Sequence, residues 1–98
     1  MRILLLGRLG MRYGSHSEIT KRLRRANGHL RTIINMIEAG DHCLEISQQL
    51  EAVEKAILSA KKALIHDHIE HNFEQSLTAS KPKMRAALRE FRAITKYL

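Results

Sequence analysis

HCLEISQQLEAVEKAILSAKKALIHDHIEHNF, residues 42–73, decides the fold. Its apolar stripe runs Cys43, Ile46, Leu50, Val53, Ile57, Ala60, Leu64, His68, in steps of three and four. That rhythm predicts one helix, with Cys43 and His68 both on the seam. A helix of this length spans about 48 Å, too long for a compact monomer of this size. The pattern predicts an antiparallel helical bundle shared between chains. Cys43 and His68 are 25 residues apart, which on one helix is about 37 Å. A single chain cannot bring both to one ligand. Two chains can, if the helix pairs antiparallel with its twin.

Upstream, Ser15 and Glu18 have the spacing of a capping box. A second stripe follows: Ile19, Leu23, Ala26, Leu30, Ile33, Ile37. Gly28 interrupts it, at a cost of about 1 kcal/mol relative to alanine, and is open to a close backbone approach. Gly40 and Asp41 end this helix and cap the next. Downstream, the polar run Gln75 to Lys81 reads as a linker, and Pro82 suits the first turn of a third helix reaching about Leu98. Its apolar side is Ala87, Leu88, Phe91, Ile94, Tyr97 and Leu98. The expected architecture is all-α with three helices. Residues 15–98 are expected to form one helical domain. Residues 1–14 are expected to be a disordered extension or a misassigned start, Met11 being a second candidate first residue.

The chain has 98 residues, one cysteine, one proline and no tryptophan. A chain this short buries a thin core and gains stability by association. A lone cysteine excludes an internal disulfide and fits a reducing cytoplasm. Residues 3–6 are apolar, but the run is too short for a signal peptide and Arg8 interrupts it. No run reaches transmembrane length, so no membrane partner is expected.

The net charge is +7. From Met1 to Arg31 there are eight basic residues and one acid, Glu18, so this end carries the whole excess. A basic end on a near-neutral body points to a polyanion. Lys21, Arg24, Arg25 and Arg31 fall within about a third of the helix circumference, with Arg22 to one side. Such a face tracks double-stranded DNA through its phosphates. No aromatics are interleaved for single-strand stacking, and no short recognition helix follows a tight turn. Lys61 and Lys62 extend a basic face once chains associate. The blander reading is a solvated, solubilising surface.

Thiolate and imidazole are the usual ligands of transition metals. Besides Cys43 there are six histidines, and His66, His68 and His71 crowd the end of the long helix. His68 and His71 share a face, with Asn72 beside them, whereas His66 points elsewhere. The run from His66 to His71 is rich in donors, yet its residues point around the helix rather than converging. Taken singly, Cys43 reads as a small core hydrophobe and His68 as a core histidine. Taken together on one seam, they read as a site completed only in the oligomer. There is no phosphate loop, nucleophile elbow or His-Glu-x-x-His motif, so no enzyme is expected.

From Ile19 to Phe73 the chain resembles the metal- and formaldehyde-sensing repressors typified by CsoR, RcnR and FrmR. The residues that carry the resemblance are Lys21-Arg22-Leu23-Arg24-Arg25 with Gly28, then Cys43. Gln48-Gln49-Leu50-Glu51-Ala52-Val53 follows, then Asp67-His68-Ile69 with Phe73. The resemblance implies antiparallel dimers assembled into a disc-shaped tetramer. It also implies a repressor that holds operator DNA when ligand-free and lets go when ligand binds. It places the ligand cysteine on Cys43 and the ligand histidine on His68 of a neighbouring chain.

Departures from the family pattern narrow the ligand. Copper sensors carry a second cysteine four residues past the histidine, and nickel and cobalt sensors a histidine. This chain has Asn72, so His71, a water or an N-terminal group such as His16 would complete the set. Nickel, cobalt or zinc is therefore favoured over copper. Formaldehyde sensors use an N-terminal proline, which neither Met1-Arg2 nor Met11-Arg12 supplies. Glu54 stands where the family tends to have an arginine. The alternatives to a metal-responsive repressor are a formaldehyde-responsive one, a chorismate-mutase-like helical enzyme, and a helical scaffold with no ligand. The enzyme would need its basic residues to converge on a dicarboxylate, whereas here they crowd one end.

Overall fold

The computed structural model describes residues 16–98. In order these form α1 (His16–Glu38), α2 (Cys43–Ser76), α3 (Lys81–Ile94) and a single 3-10 turn, Thr95–Tyr97. The described residues are helical with no strand, and none of the helices is long and apolar enough to cross a membrane. Ser15 and the stretch 1–14 lie outside the described residues, and with them the capping-box and extension expectations.

Two compact units are present, one spanning Ser17–Lys61 and the other holding His16 with Lys62–Leu98. In the first, α1 meets the N-terminal half of α2. α1 continues unbroken through Gly28, which is exposed, and a Cβ placed there would have nothing within 4 Å among the described residues. The close backbone approach for which that glycine leaves room is not made by the described residues.

Gly40 ends α1 as expected, with a φ of 78°. The Asp41 N–H donates to Met36 O at 3.0 Å and the Gly40 N–H to Ile37 O at 3.1 Å. These two bonds satisfy carbonyls that the helix end would leave orphaned, and they require a left-handed residue, which glycine adopts without a Cβ clash. The cap of α2 is His42 rather than Asp41, since the first turn closes with the Ile46 N–H on His42 O at 3.1 Å.

The apolar stripes divide into lanes. On α1, Ile19, Ala26 and Ile33 are buried; on α2, Val53 and Ala60 are buried and Ile46 is half-buried. These residues, at heptad spacing, form the core of the first unit. The alternate lane faces outward. Leu50, Ile57 and Leu64 are 44%, 42% and 43% exposed, and Leu23 and Ile37 of α1 are exposed likewise. The physical reason is geometric. The three-four stripe is two adjacent heptad lanes wide, and among the described residues the packing covers one lane and leaves the other open. The seam expected to be uniform is therefore half core and half open surface.

In the second unit, α2 extends to Ser76, three residues beyond the expected end, and shortens the linker to 77–80. Pro82 lies in the first turn of α3, where its missing N–H costs no helical bond. α3 stops at Ile94 rather than near Leu98. None of its residues is fully buried. Phe73 of α2 and Met84, Leu88 and Phe91 of α3 border an apolar hollow of about 590 Å³.

Candidate functional site

The residues expected to hold a metal divide between the units. Cys43 is the first residue of α2, and its thiol is free and exposed. The nearest polar partner is the Ser47 hydroxyl, 4.0 Å from Sγ, one turn on along the same helix. His68, His71 and Asn72 are half-buried on the C-terminal part of α2. His16 is half-buried at the first position of α1. The helix is continuous from Cys43 to Ser76, the condition on which the argument for two chains depends.

The surroundings of His68 determine its chemistry. Its Nε2 lies 2.8 Å from Glu90 Oε2 of α3 and 3.1 Å from the side-chain nitrogen of Asn72. One ring nitrogen cannot donate and accept at once. A carboxylate is the stronger, charge-assisted acceptor, so the proton sits on Nε2 and points to Glu90. Asn72 then presents its oxygen, since the two ends of an amide have the same shape and their assignment follows the network. With Nε2 as the donor, the neutral ring carries no proton on Nδ1. A metal-ligating histidine is held in the same way, its second N–H donated to a carboxylate. An imidazole and a thiol are ligand types that suit a transition metal ion, and the Asn72 side chain contacts the imidazole.

No local sequence pattern marks Glu90 as the partner of His68. One signal was present: it is the only acidic residue after Glu74. The expectation that the run His66 to His71 does not converge is corrected. Ligand-type atoms of His66, Asp67 and Glu70 lie within 4.8 Å of one another. The cause is helical spacing, which puts His66 and Glu70 one turn apart with Nδ1 and Oε1 at 3.8 Å. Both are largely exposed, so this reads as a solvated i, i+4 pair worth little in water.

The basic residues lie on α1, and Lys21, Arg22, Arg24, Arg25 and Arg31 are all exposed. Lys21 is 3.8 Å from Glu18 in an exposed pair. Arg22 lies to one side of Lys21, Arg24 and Arg31 on the helix. It joins Arg25 and His29 along a cleft against Ala56 and Ser59 of α2. Residues at i, i+3 and i+7 share a face, which sets Arg22, Arg25 and His29 along one side of α1. His29 Nε2 bonds Gln49 Oε1 of α2.

Comparison with known proteins is consistent with these features. The family described as metal-sensitive transcriptional repressor matches residues 15–96. The chain is similar to the copper-sensing transcriptional repressor CsoR of Mycobacterium ulcerans (strain Agy99), at 36% identity over 56 residues, 57% of this chain and 48% of the relative. It is similar to CsoR of Bacillus subtilis (strain 168), at 39% over 54 residues, 55% of this chain and 54% of the relative. It is also similar to the copper-sensing transcriptional repressor RicR of Mycobacterium tuberculosis (strain ATCC 25618 / H37Rv), at 33% over 70 residues, 71% and 73% of the two chains. The chain spans about half the length of the CsoR relatives it matches. No solved structure matches it. The match is to repressors and not to enzymes, which removes the chorismate-mutase-like alternative. The chain belongs to the metal-sensitive transcriptional repressor family.

Proposed function

We propose that this chain is a metal-responsive repressor whose sensing site is completed between subunits. The observation that carries the reading is the outward lane of α2. Exposed Cys43 heads it, Leu50, Ile57 and Leu64 continue it, and His68 follows one turn later. An apolar lane of this length is a surface for another helix. Antiparallel pairing of two such lanes sets Cys43 of one chain beside His68 of the other. The resulting dimer is a four-helix bundle, and dimers assemble further into a tetramer. The site lies in a cytoplasmic protein that meets double-stranded operator DNA through the basic face of α1.

The metal is a divalent borderline ion, nickel, cobalt or zinc. The relatives are named for copper, but Cu(I) favours more sulfur than one thiolate supplies. His68 and the Cys43 thiolate are the two ligands, with His71 or His16 as further candidates. Glu90 positions the imidazole. Because the thiol must lose its proton to bind, metal affinity falls as pH is lowered. When bound, the ion links two chains and so biases the packing of the paired helices. DNA release follows by linkage if metal and DNA favour different packings.

The test combines two variants. Cys43→Ala and His68→Ala chains are each expected to lose metal binding. A mixed dimer of the two contains one intact site, so mixing restores part of it. DNA from upstream of the protein's own gene is expected to bind the metal-free protein and to be released by Ni(II), Co(II) or Zn(II). Retention of wild-type affinity by either variant alone, or no recovery once subunit exchange is demonstrated, overturns the shared site. Release by Cu(I) alone overturns the choice of metal.

A further inference from the structure

We infer that α3 carries a second surface for duplex DNA, a stripe of Lys81, Arg85, Arg89 and Arg92 that grips the sugar–phosphate backbone. The inference rests on the proposed DNA-binding function and adds to it a surface outside α1. The near-neutral remainder of the chain is divided in charge. Residues 32–74 hold three basic residues and eight acids, whereas residues 75–98 hold six basic residues and one acid. Four of those six stand on α3 in steps of four, four and three. At 3.6 residues per turn they fall within about a quarter of the helix circumference. Lys96 follows four residues on, in the terminal turn Thr95–Tyr97.

The stripe has no counter-charge. All five residues are exposed, and none makes an ion pair among the described residues. The one acid of this segment, Glu90, lies about half a turn away on α3, where its carboxylate meets His68 at 2.8 Å. It therefore neither neutralises the stripe nor reaches what the stripe binds.

Spacing and chemistry select a polymer of phosphates. From Lys81 to Arg92 the helix advances about 16 Å, a length over which one DNA strand carries about five charges. A small anion would engage one or two of these cations, whereas a phosphate backbone engages the row. Three of the four are arginines, whose guanidinium groups meet phosphate with two parallel hydrogen bonds. A lipid surface fits less well. A helix lying on a bilayer turns its apolar side into the acyl boundary, but Met84, Leu88 and Phe91 border a hollow shared with Ile69 and Phe73 of α2. The chain belongs to a family of transcriptional repressors, which makes duplex DNA the polyanion at hand. α3 and the basic face of α1 lie in different compact units. Separate surfaces meet separate phosphates, so each adds its own share to the salt dependence.

The test is fluorescence anisotropy of the intact protein over a series of salt concentrations. Two duplexes are used, one from upstream of the protein's own gene and one of unrelated sequence. The variant is Arg89→Gln with Arg92→Gln, two exposed positions clear of the hollow. Lys83→Gln, on the other side of α3, is the charge control. Circular dichroism and sedimentation confirm that each variant folds and assembles like wild type. The double variant is expected to bind both duplexes about tenfold more weakly near 0.1 M salt, with the log–log salt slope lower by about two. Lys83→Gln should stay within twofold of wild type. An unchanged double variant, alongside weakened binding by Arg24→Gln with Arg25→Gln, overturns the stripe and leaves DNA binding by α1 standing. A loss confined to the upstream duplex, or one that appears only with loss of assembly, also overturns it, since a phosphate contact is blind to sequence. Failure of the wild-type protein to bind either duplex in a salt-dependent way overturns the DNA-binding function itself. Vesicles of phosphatidylglycerol separate the lipid alternative. Vesicle binding that the double variant abolishes, with DNA affinity unchanged, would make the stripe a lipid contact and overturn the assignment to DNA.

Discussion

Replacing Glu90 with alanine tests how α3 acts on the metal ligand. The Glu90 carboxylate is 2.8 Å from His68 Nε2, with the histidine side chain 20% exposed and the glutamate 55% exposed. Removing a hydrogen-bonded partner behind a metal ligand costs about 10- to 100-fold in affinity. Glu90 is more than half open to water, which screens its charge, so the lower end applies. The expected loss is about tenfold, which is about 1.4 kcal/mol. Glu90→Gln keeps an acceptor for the Nε2 proton and loses only the charge, so its loss should be smaller, about threefold. The assay is competition against a chromophoric chelator for Ni(II), Co(II) and Zn(II) at constant pH. The metal-free DNA affinity is measured in parallel and should not move, because Glu90 lies in a different compact unit from the basic face of α1. Metal affinity within twofold of wild type for Glu90→Ala would refute the reasoning. So would an equal loss in Glu90→Ala and Glu90→Gln, since hydrogen bonding would then contribute nothing beyond charge.

Three further outcomes are expected. Ile33 is 1% exposed in the α1–α2 core, so Ile33→Ala should destabilise the protein by about 2–5 kcal/mol, read by urea denaturation at fixed protein concentration. Ile57 lies on the outward lane; Ile57→Lys should leave each chain folded but shift sedimentation towards monomer, and an unchanged sedimentation coefficient would remove that lane from the interface. Neutralising Arg24 and Arg25 together should weaken DNA binding and lower the magnitude of the log–log salt slope by about two, as measured by anisotropy between low and moderate salt.

Residue spacing alone carried the helices. The steps of three and four along Cys43 to His68 specify a helical period whatever surrounds them, and Gly40 announces the left-handed turn that ends α1 because few other residues adopt it. The pairing of Cys43 with His68 as joint candidates was legible for the same reason. Periodicity gives the angle of a residue around its helix but does not say which neighbour covers that angle. Hence the stripe of α2 looked uniform, whereas the fold buries Val53 and Ala60 and leaves Leu50 and Ile57 open. Contacts between segments far apart in the chain were equally out of reach. His68 meets Glu90 from 22 residues away, and His29 meets Gln49 from 20. Which side chains meet depends on how the turns at 39–42 and 77–80 return the chain, and no local pattern encodes that. Arg22 shows the difference most directly. Counted around α1 it stood apart from the other basic residues, and only the packing of α1 on α2 placed it with Arg25 and His29 in one cleft.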